Sequence, residues 1–264
     1  MLIILLLLLL TIVSGIIQDV NTIKVNPSTN MFIDKQGSTR IFHGVNAVYK
    51  LPPYYPDTTT FNASTSLSPQ DAINLKTWGF NIVRLGVMWV GFEPEKGQYD
   101  YKYLDQIENI VKILNDQDIY VLLDFHQDVI HRKFCGEGVP DYIMESCMEH
   151  YPDSKPFPLP VKSDEYPFPY PLDSDGNPSI EACLSKKFFS YYFSDQVGKT
   201  FQCLYKNVDG SWQSFGDYWE KIVKRFSNYA NVIGYELINE PSPGISYYYN
   251  YRYHYYYRYH YYYR

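Results

Sequence analysis

The sequence predicts an α/β fold, because short apolar runs typical of buried strands alternate with segments of helical periodicity. An alternating stretch at residues 22–42, with turn residues in its middle, precedes the first core run and predicts a β-hairpin below the sheet. Four runs predict parallel core strands, and the last of them has the pattern of a strand buried on both faces. They are residues 40–46, 81–87, 119–125 and 232–238.

Helices are predicted between these strands. Ser68 is a candidate cap with Pro69 at the first helical position, so a helix should run from there to Trp78 and end at Gly79. Residues 101–115 place four aliphatic side chains on one stripe, as in an amphipathic helix. Two further helices are predicted at 180–206 and 212–229, the second with its aromatic residues, Ile222 and Val223 directed toward the core.

The composition bounds the function. The 264 residues carry a formal charge of −6, which argues against a nucleic-acid partner and against a strongly anionic membrane surface. Residues 1–15 have the form of a signal peptide, an apolar run that ends in the small residues Ser14 and Gly15, so a secreted protein is expected. An uncleaved membrane anchor is the alternative, although the uncharged run is barely long enough to span a bilayer.

The four cysteines of the sequence fit a protein of an oxidising compartment. Three pairings are possible, and the sequential one, Cys135 with Cys147 and Cys183 with Cys203, closes the shortest loops and is the one we predict. No spacing suggests zinc, and we expect neither metal nor cofactor. Asn62 begins a glycosylation sequon on the polar stretch 57–68.

The last predicted strand ends in Asn239–Glu240–Pro241, and proline forces the chain to turn there. A carboxylate at the tip of a core strand has the placement that barrel enzymes use for chemistry. We expect Glu240 to be half desolvated at this rim, as a general acid requires. The alternative is an acidic residue in an ordinary turn after a strand.

Polar side chains also mark two earlier runs. Arg84 lies inside an apolar strand, where its charge is costly unless it is paired. His126 and Asp128 follow the third strand two residues apart, and therefore share a face if the chain stays extended. A core ion pair and a structural histidine are the alternatives to functional roles.

These motifs together resemble the retaining glycoside hydrolases of family five, and among them the endoglycoceramidases, over residues 30–241. The block FCGEGVPD is the part that points to glycolipid rather than cellulose. The matching stretches are FHGVNAVYK (42–50), GFNIVRLGVMWVGFEPEKGQYD (79–100), IYVLLDFHQDVIHRKFCGEGVPD (119–141) and YELINEP (235–241). The resemblance implies a (β/α)8 TIM-barrel type of fold, truncated after the fourth strand, with residues 16–244 as its amino-terminal half.

The resemblance also implies roles. Glu240 would be the acid/base and Asn239 would bind the sugar 2-hydroxyl, while Arg84 would orient the nucleophile. His126, Asp128 and Lys50 would hold the sugar; an ordinary exposed lysine is the alternative for Lys50. The expected reaction is hydrolysis of the bond between glycan and ceramide in glycosphingolipids, with retention of configuration. Contact with a membrane is expected only through this lipid substrate.

No residue of the sequence matches the family's nucleophile, a glutamate on the seventh strand, so the chain by itself is expected to be inactive. Another secreted β-glucosidase or endoglucanase, or a non-catalytic glycolipid-binding fragment, are the alternative functions.

Two segments have unusual composition. Residues 152–178 contain eight prolines and predict a stiff loop at the catalytic face, either a wall for the aglycone or a solvated insertion. Residues 245–264 are a low-complexity tail of Tyr, Arg and His with a six-residue repeat, which we interpret as an artefact of translated repetitive sequence. A genuine aromatic-basic tail that binds glycans or nucleic acid is the alternative.

Overall fold

A computed structural model of the chain describes residues 22–151, 173–185 and 187–244. The predicted signal peptide at 1–15, the tail at 245–264 and most of the proline-rich stretch lie outside these residues. Within them, no helix has both the length and the apolar character needed to cross a membrane.

The described residues form a small hairpin, a four-stranded sheet and the helices that connect its strands. The strands are β1 (Lys24–Val25), β2 (Phe32–Ile33), β3 (Gly44–Ala47), β4 (Ile82–Gly86), β5 (Tyr120–Asp124) and β6 (Val232–Glu236). The helices are α1 (Pro69–Thr77), α2 (Trp89–Phe92), α3 (Tyr101–Asn115), α4 (Asp141–His150), α5 (Ile180–Leu184), α6 (Asp195–Lys206) and α7 (Ser211–Phe226).

The predicted hairpin and parallel sheet are confirmed. Strands β1 and β2 pair antiparallel, whereas the larger sheet has the order β3-β4-β5-β6 with every neighbour parallel. This is the order that successive strand–helix units produce when each crossover returns beside the strand before it. All four strands therefore point their carboxyl ends to the same edge of the sheet.

One face of the sheet forms the core. Alternate residues of β4 and β5, such as Val83, Leu85, Val121 and Leu123, are fully buried. They belong to one apolar cluster with the stripe of α3 and the aromatic face of α7. The predicted stripe of α3 is confirmed, since Leu104, Ile107, Val111 and Leu114 are all buried.

Four details of the predicted elements are wrong. The first strand, predicted as a core strand at 40–46, is the shorter β3, and three of its four residues are exposed. Strand β6 is half-buried along its whole length and ends at Glu236, so it is neither buried on both faces nor as long as the apolar run. The helix predicted at 180–206 is two helices, α5 and α6, with the 3-10 segment Phe188–Phe193 between them. Val223 of α7 is 37% exposed, because the helix directs only one stripe to the core.

Polar contacts fix the start of α1 and the segment before it. The carboxylate of Asp71 accepts from the Ser68 N–H at 2.7 Å and from the Ser68 hydroxyl at 2.8 Å, so the predicted start is confirmed. Asn62 lies exposed on the preceding segment, and its side-chain oxygen accepts from the Ser64 N–H at 2.9 Å. The position suits a sequon; glycosylation itself stays a prediction.

The predicted disulfide pairing is wrong. Cys135 is bonded to Cys183, with 5.4 Å between their Cα atoms, and Cys147 and Cys203 are buried free thiols. The prediction used loop length alone, whereas packing decides which sulfurs meet. Cys135 follows the 3-10 turn Arg132–Phe134, and the chain returns through α5 to place Cys183 beside it.

Strand pairing makes Gly44 irreplaceable. A Cβ atom added to Gly44 would lie 1.7 Å from the carbonyl oxygen of Ile82 on β4. We expect Gly44→Ala to lower the free energy of unfolding by about 3 kcal/mol, since backbone must move to relieve the overlap. The measurement is urea unfolding followed by circular dichroism.

The matched control is Gly216→Ala in α7, where an added Cβ meets nothing within 4 Å. Alanine is the better helix former there, so this variant should be as stable as the parent or up to about 1 kcal/mol more stable. Equal stability of Gly44→Ala and the parent would contradict the close approach of β3 to β4.

Candidate active site

The candidate catalytic and sugar-binding residues lie in the middle of β4 or just beyond the carboxyl ends of β3, β5 and β6. Arg84 comes from β4, His126 and Asp128 follow β5, and Asn239 and Glu240 follow β6. Lys50 lies three residues after the end of β3. The parallel order of the strands is what brings these positions to one edge.

Arg84 is the centre of the cluster. Its Nε and Nη2 atoms donate to the two carboxylate oxygens of Glu236, at 2.6 and 2.7 Å. Nη2 also donates to Asn239 Oδ1 at 3.0 Å and lies 3.0 Å from Asp124 Oδ2. The Glu236 hydrogen bonds raise the pKa of Arg84 above its ordinary value. Its charge is thus paired, as its place in an apolar strand requires.

The acidic partners of Arg84 were not predicted from the sequence. Glu236 ends β6 and Asp124 ends β5, each inside a run that was interpreted as apolar. The signal was present in the sequence, because a charge buried in one strand requires an opposite charge on a neighbouring strand. Both carboxylates could therefore have been found by the reasoning that singled out Arg84.

His126 is held by Asp124. The Nδ1 atom of His126 lies 2.7 Å from Asp124 Oδ2, and a buried carboxylate there accepts the hydrogen bond, so Nδ1 carries the proton. The other ring nitrogen, Nε2, lies 3.4 Å from Asp128 Oδ2 and 3.5 Å from Asn239 Nδ2. The imidazole therefore has a fixed orientation between β5 and the segment after β6.

Gln127 fastens the segment after β6 and was also missed. Its side-chain NH2 donates to the carbonyl oxygens of Asn239, at 2.6 Å, and of Glu240, at 3.1 Å. In return, Asn239 Nδ2 donates to the Gln127 carbonyl at 2.9 Å. Gln127 and Asn239 are both buried, so these bonds are shielded from water. No sequence signal distinguishes Gln127 from a surface glutamine.

Glu240 itself is exposed, so its predicted partial burial is wrong. It lies four residues beyond the end of β6, and its φ of 39° is in the left-handed region that non-glycine residues seldom adopt. Gln127 holds the carbonyl of this residue while the carboxylate reaches solvent. The strained backbone is typical of a residue placed for function rather than for packing.

A second cluster surrounds Lys50. Its ammonium pairs with Asp128 Oδ2 and lies 3.1 Å from Glu137 Oε1. The Tyr192 hydroxyl donates to Asp128 Oδ1 at 2.8 Å. Glu137 was not predicted as a site residue, although it lies within FCGEGVPD. Two backbone hydrogen bonds, of 2.8 and 3.0 Å, join Asp128 to Glu137 and place their carboxylates side by side. Burial raises the pKa of Glu137 to about 7.

This second cluster has the donor set of a cation site. Ligand atoms of His126, Asp128 and Glu137 lie within 4.8 Å of one another. The cation among them is the ammonium of Lys50, which pairs with both carboxylates. We therefore assign these residues to a lysine-centred network and not to a metal.

The raised pKa of Glu137 predicts a pH-dependent stability. As pH rises, Glu137 loses its proton at a pKa of about 4.5 in the unfolded chain but only at a pKa of about 7 in the folded protein. Stability should fall as pH rises from about 4.5 to about 7, by up to about 3 kcal/mol. Glu137→Gln has no proton to lose at this position. The free energy of unfolding of the variant minus that of the parent, from urea unfolding, should therefore increase from pH 5 to pH 8.

The comparison with the variant is needed because buried His131 acts in the opposite direction: burial lowers its pKa, and its contribution to stability rises with pH. The control is Glu145→Gln, a change of the same charge on the exposed face of α4. If the difference between parent and Glu137→Gln were the same at pH 5 and pH 8, the proton on Glu137 would be excluded.

Comparison with known proteins places the chain in a family. Residues 54–251 match the family model described as cellulase, glycosyl hydrolase family 5. The chain is 41% identical over 222 residues to the endoglycoceramidase of Hydra vulgaris, covering 84% of this chain and 41% of that protein. It is 40% identical over 225 residues to that of Cyanea nozakii, covering 85% and 43%. The chain thus spans about two fifths of the length of these curated relatives.

Solved structures share the fold. An endogalactoceramidase crystal structure superimposes with a TM-score of 0.60 at 20% identity, over 85% of this chain and 44% of that one. Endo-glycoceramidase II from Rhodococcus sp., in complex with a five-membered iminocyclitol, gives 0.59 at 23% identity over 80% and 42%. These likenesses confirm the predicted fold class, a partial (β/α)8 barrel. By its match to the family model over three quarters of its residues, the chain belongs to glycosyl hydrolase family 5.

Proposed function

We propose that this chain is part of a secreted, retaining glycosidase that hydrolyses the bond between glycan and ceramide in glycosphingolipids, with Glu240 as its acid/base. The observation that carries the proposal is the fixed pair Asn239–Glu240 at the carboxyl edge of the sheet: a buried amide bonded to Arg84 and Gln127, followed by an exposed carboxylate. The names of the curated relatives supply the substrate class.

Glu240 acts twice in the proposed reaction. In the first step its carboxyl group protonates the glycosidic oxygen as the aglycone leaves. In the second it takes a proton from the water that resolves the glycosyl-enzyme intermediate. The hydrogen bond from Gln127 to the backbone of Glu240 fixes the base of this side chain and leaves its carboxylate accessible to both molecules.

Asn239 orients the sugar. Its Oδ1 accepts from Arg84 and one Nδ2 hydrogen is donated to Gln127, so the amide has a single orientation. The second Nδ2 hydrogen faces His126 Nε2 across 3.5 Å in the free site. In the proposed complex it turns to the sugar 2-hydroxyl, a contact that strengthens in the transition state. Arg84 supports this arrangement through the same hydrogen bond.

Lys50, His126 and Asp128 supply the remaining sugar contacts. An ammonium donates to hydroxyl oxygens and a carboxylate accepts from hydroxyl hydrogens, so the pair can bind two adjacent hydroxyls of one ring. Their mutual contact in the free site gives each side chain its position before the sugar arrives. Such prepositioning reduces the entropy lost on binding.

Retention requires a second carboxylate about 5–5.5 Å from the acid/base. We propose that a later strand of a longer protein supplies it, and that Arg84 lies beside it at the centre of the barrel. The disulfide Cys135–Cys183 supports the proposal of secretion, since such bonds persist outside the cytosol.

Chemical rescue tests the role of Glu240. In a protein extended to the length of its curated relatives, Glu240→Ala should lower turnover of glycosphingolipid by about a thousandfold or more, since proton transfer is lost. Aryl glycosides with good leaving groups need little protonation and should still form the intermediate. Azide should then release a β-glycosyl azide, because it attacks from the face that Glu240 occupied.

The control is Glu220→Ala, which removes the same charge from an exposed position of α7 and should leave turnover unchanged. An α-glycosyl azide, or a folded Glu240→Ala variant without azide rescue, would exclude Glu240 as acid/base. Cleavage of cello-oligosaccharides in preference to gangliosides would favour the endoglucanase alternative, with the same acid/base.

The 264-residue chain by itself should release no ceramide from gangliosides above the level of its Glu240→Gln variant. The covalent step needs a nucleophile, and the family resemblance matches no residue of this sequence to it. The measurement is ceramide release by mass spectrometry with both proteins at equal concentration. Release above the variant's level would mean that a carboxylate such as Glu236 serves as nucleophile.

A further inference from the structure

Two buried cysteines remain outside the observed disulfide. Cys147 lies in α4 and Cys203 in α6, with 1% and 0% of their surfaces exposed. The two helices pack directly against each other. Neither residue contributes to the carboxyl edge of the sheet, so the proposed activity does not account for them.

The thiols face each other across this helix contact. Cys147 Sγ donates to the carbonyl oxygen of Thr200 at 3.9 Å, which places it against the turn of α6 that carries Cys203, three residues later. The neighbouring Cys203 thiol, together with burial, raises the pKa of Cys147.

Elimination leads to the same pair. Since Cys135 is bonded to Cys183, the two thiols left among these 264 residues are each other's only possible partner within them. We propose that Cys147 and Cys203 form a second disulfide bond, which joins α4 to α6. The inference goes beyond the proposed function and does not depend on it.

The bond forms by exchange with an external disulfide such as glutathione disulfide. One thiolate attacks the oxidant and releases one glutathione thiolate; the second cysteine thiolate then attacks the mixed disulfide and releases the other. The two cysteines lose two protons and two electrons, and the oxidant becomes two thiols. Because the packed helices bury both sulfurs and disfavour the thiolate, the exchange takes place while the chain folds.

The second bond would interlock with the first. The cysteines of the two bonds alternate in sequence: the loop closed by Cys135–Cys183 overlaps the loop closed by Cys147–Cys203. Both loops contain the residues between α4 and α5. The loop after β5, which carries Asp128 and Glu137, and the helix pair α4–α6 would then be tied on both sides of that stretch.

The test counts free thiols. The reduced 264-residue chain is refolded with glutathione and glutathione disulfide, then unfolded in guanidinium with N-ethylmaleimide and no reductant. The intact mass should show no maleimide adduct on any of the four cysteines. Non-reducing peptide mapping should find Cys147 joined to Cys203 and Cys135 joined to Cys183.

Single variants assign the bond. Cys147→Ser should give one adduct, on Cys203, and Cys203→Ser should give one, on Cys147. The matched control Cys135→Ser should give one, on Cys183. Two adducts in the parent, on Cys147 and Cys203, would overturn the proposal, as would a peptide joining either of them to Cys135 or Cys183. The parent's peptide map decides the question even if a variant fails to fold.

Discussion

The site depends on one charge placed inside the sheet. Arg84 projects from the middle of β4 with 19% of its side chain exposed, where a guanidinium without partners would be strongly destabilising. Its two-fold hydrogen bond to Glu236 and its contact with Asp124 bring the ends of three neighbouring strands into a single charged cluster. Removing the guanidinium would leave Asp124, which is fully buried, without the cation that pairs with it.

From Arg84 the contacts spread along the edge in two directions. Asp124 connects it to His126, whose far nitrogen faces Asp128, and Asp128 in turn holds Lys50 from the end of β3. On the other side Asn239 connects the guanidinium to the segment that carries Glu240. The proposed sugar-binding residues and the proposed acid/base are therefore positioned by one hydrogen-bonded network across all four strands.

Sequence reasoning found the alternation of strands and helices because apolar periodicity follows from burial, and burial is what the helices α3 and α7 provide. It found Arg84, Asn239 and Glu240 because each breaks an apolar run or ends one. It overlooked Gln127 and Glu137, whose roles come from contacts with residues far along the chain. It mispaired the cysteines for the same reason: loop length is local, whereas the meeting of Cys135 and Cys183 is set by tertiary packing.

The side chains that hold Glu240 in place and its own carboxylate lie in different environments. The groups that hold it, Gln127 and Asn239, are buried, whereas the carboxylate is in solvent. A general acid works best when its charged form is desolvated, and this part of the fold supplies rigidity without desolvation. In the proposed reaction the water around Glu240 is therefore displaced by the bound glycolipid and by the strands that complete the barrel. In this proposal the four parallel strands fix the position of the proton donor, and the substrate and the remaining strands would supply the apolar surroundings that speed the transfer.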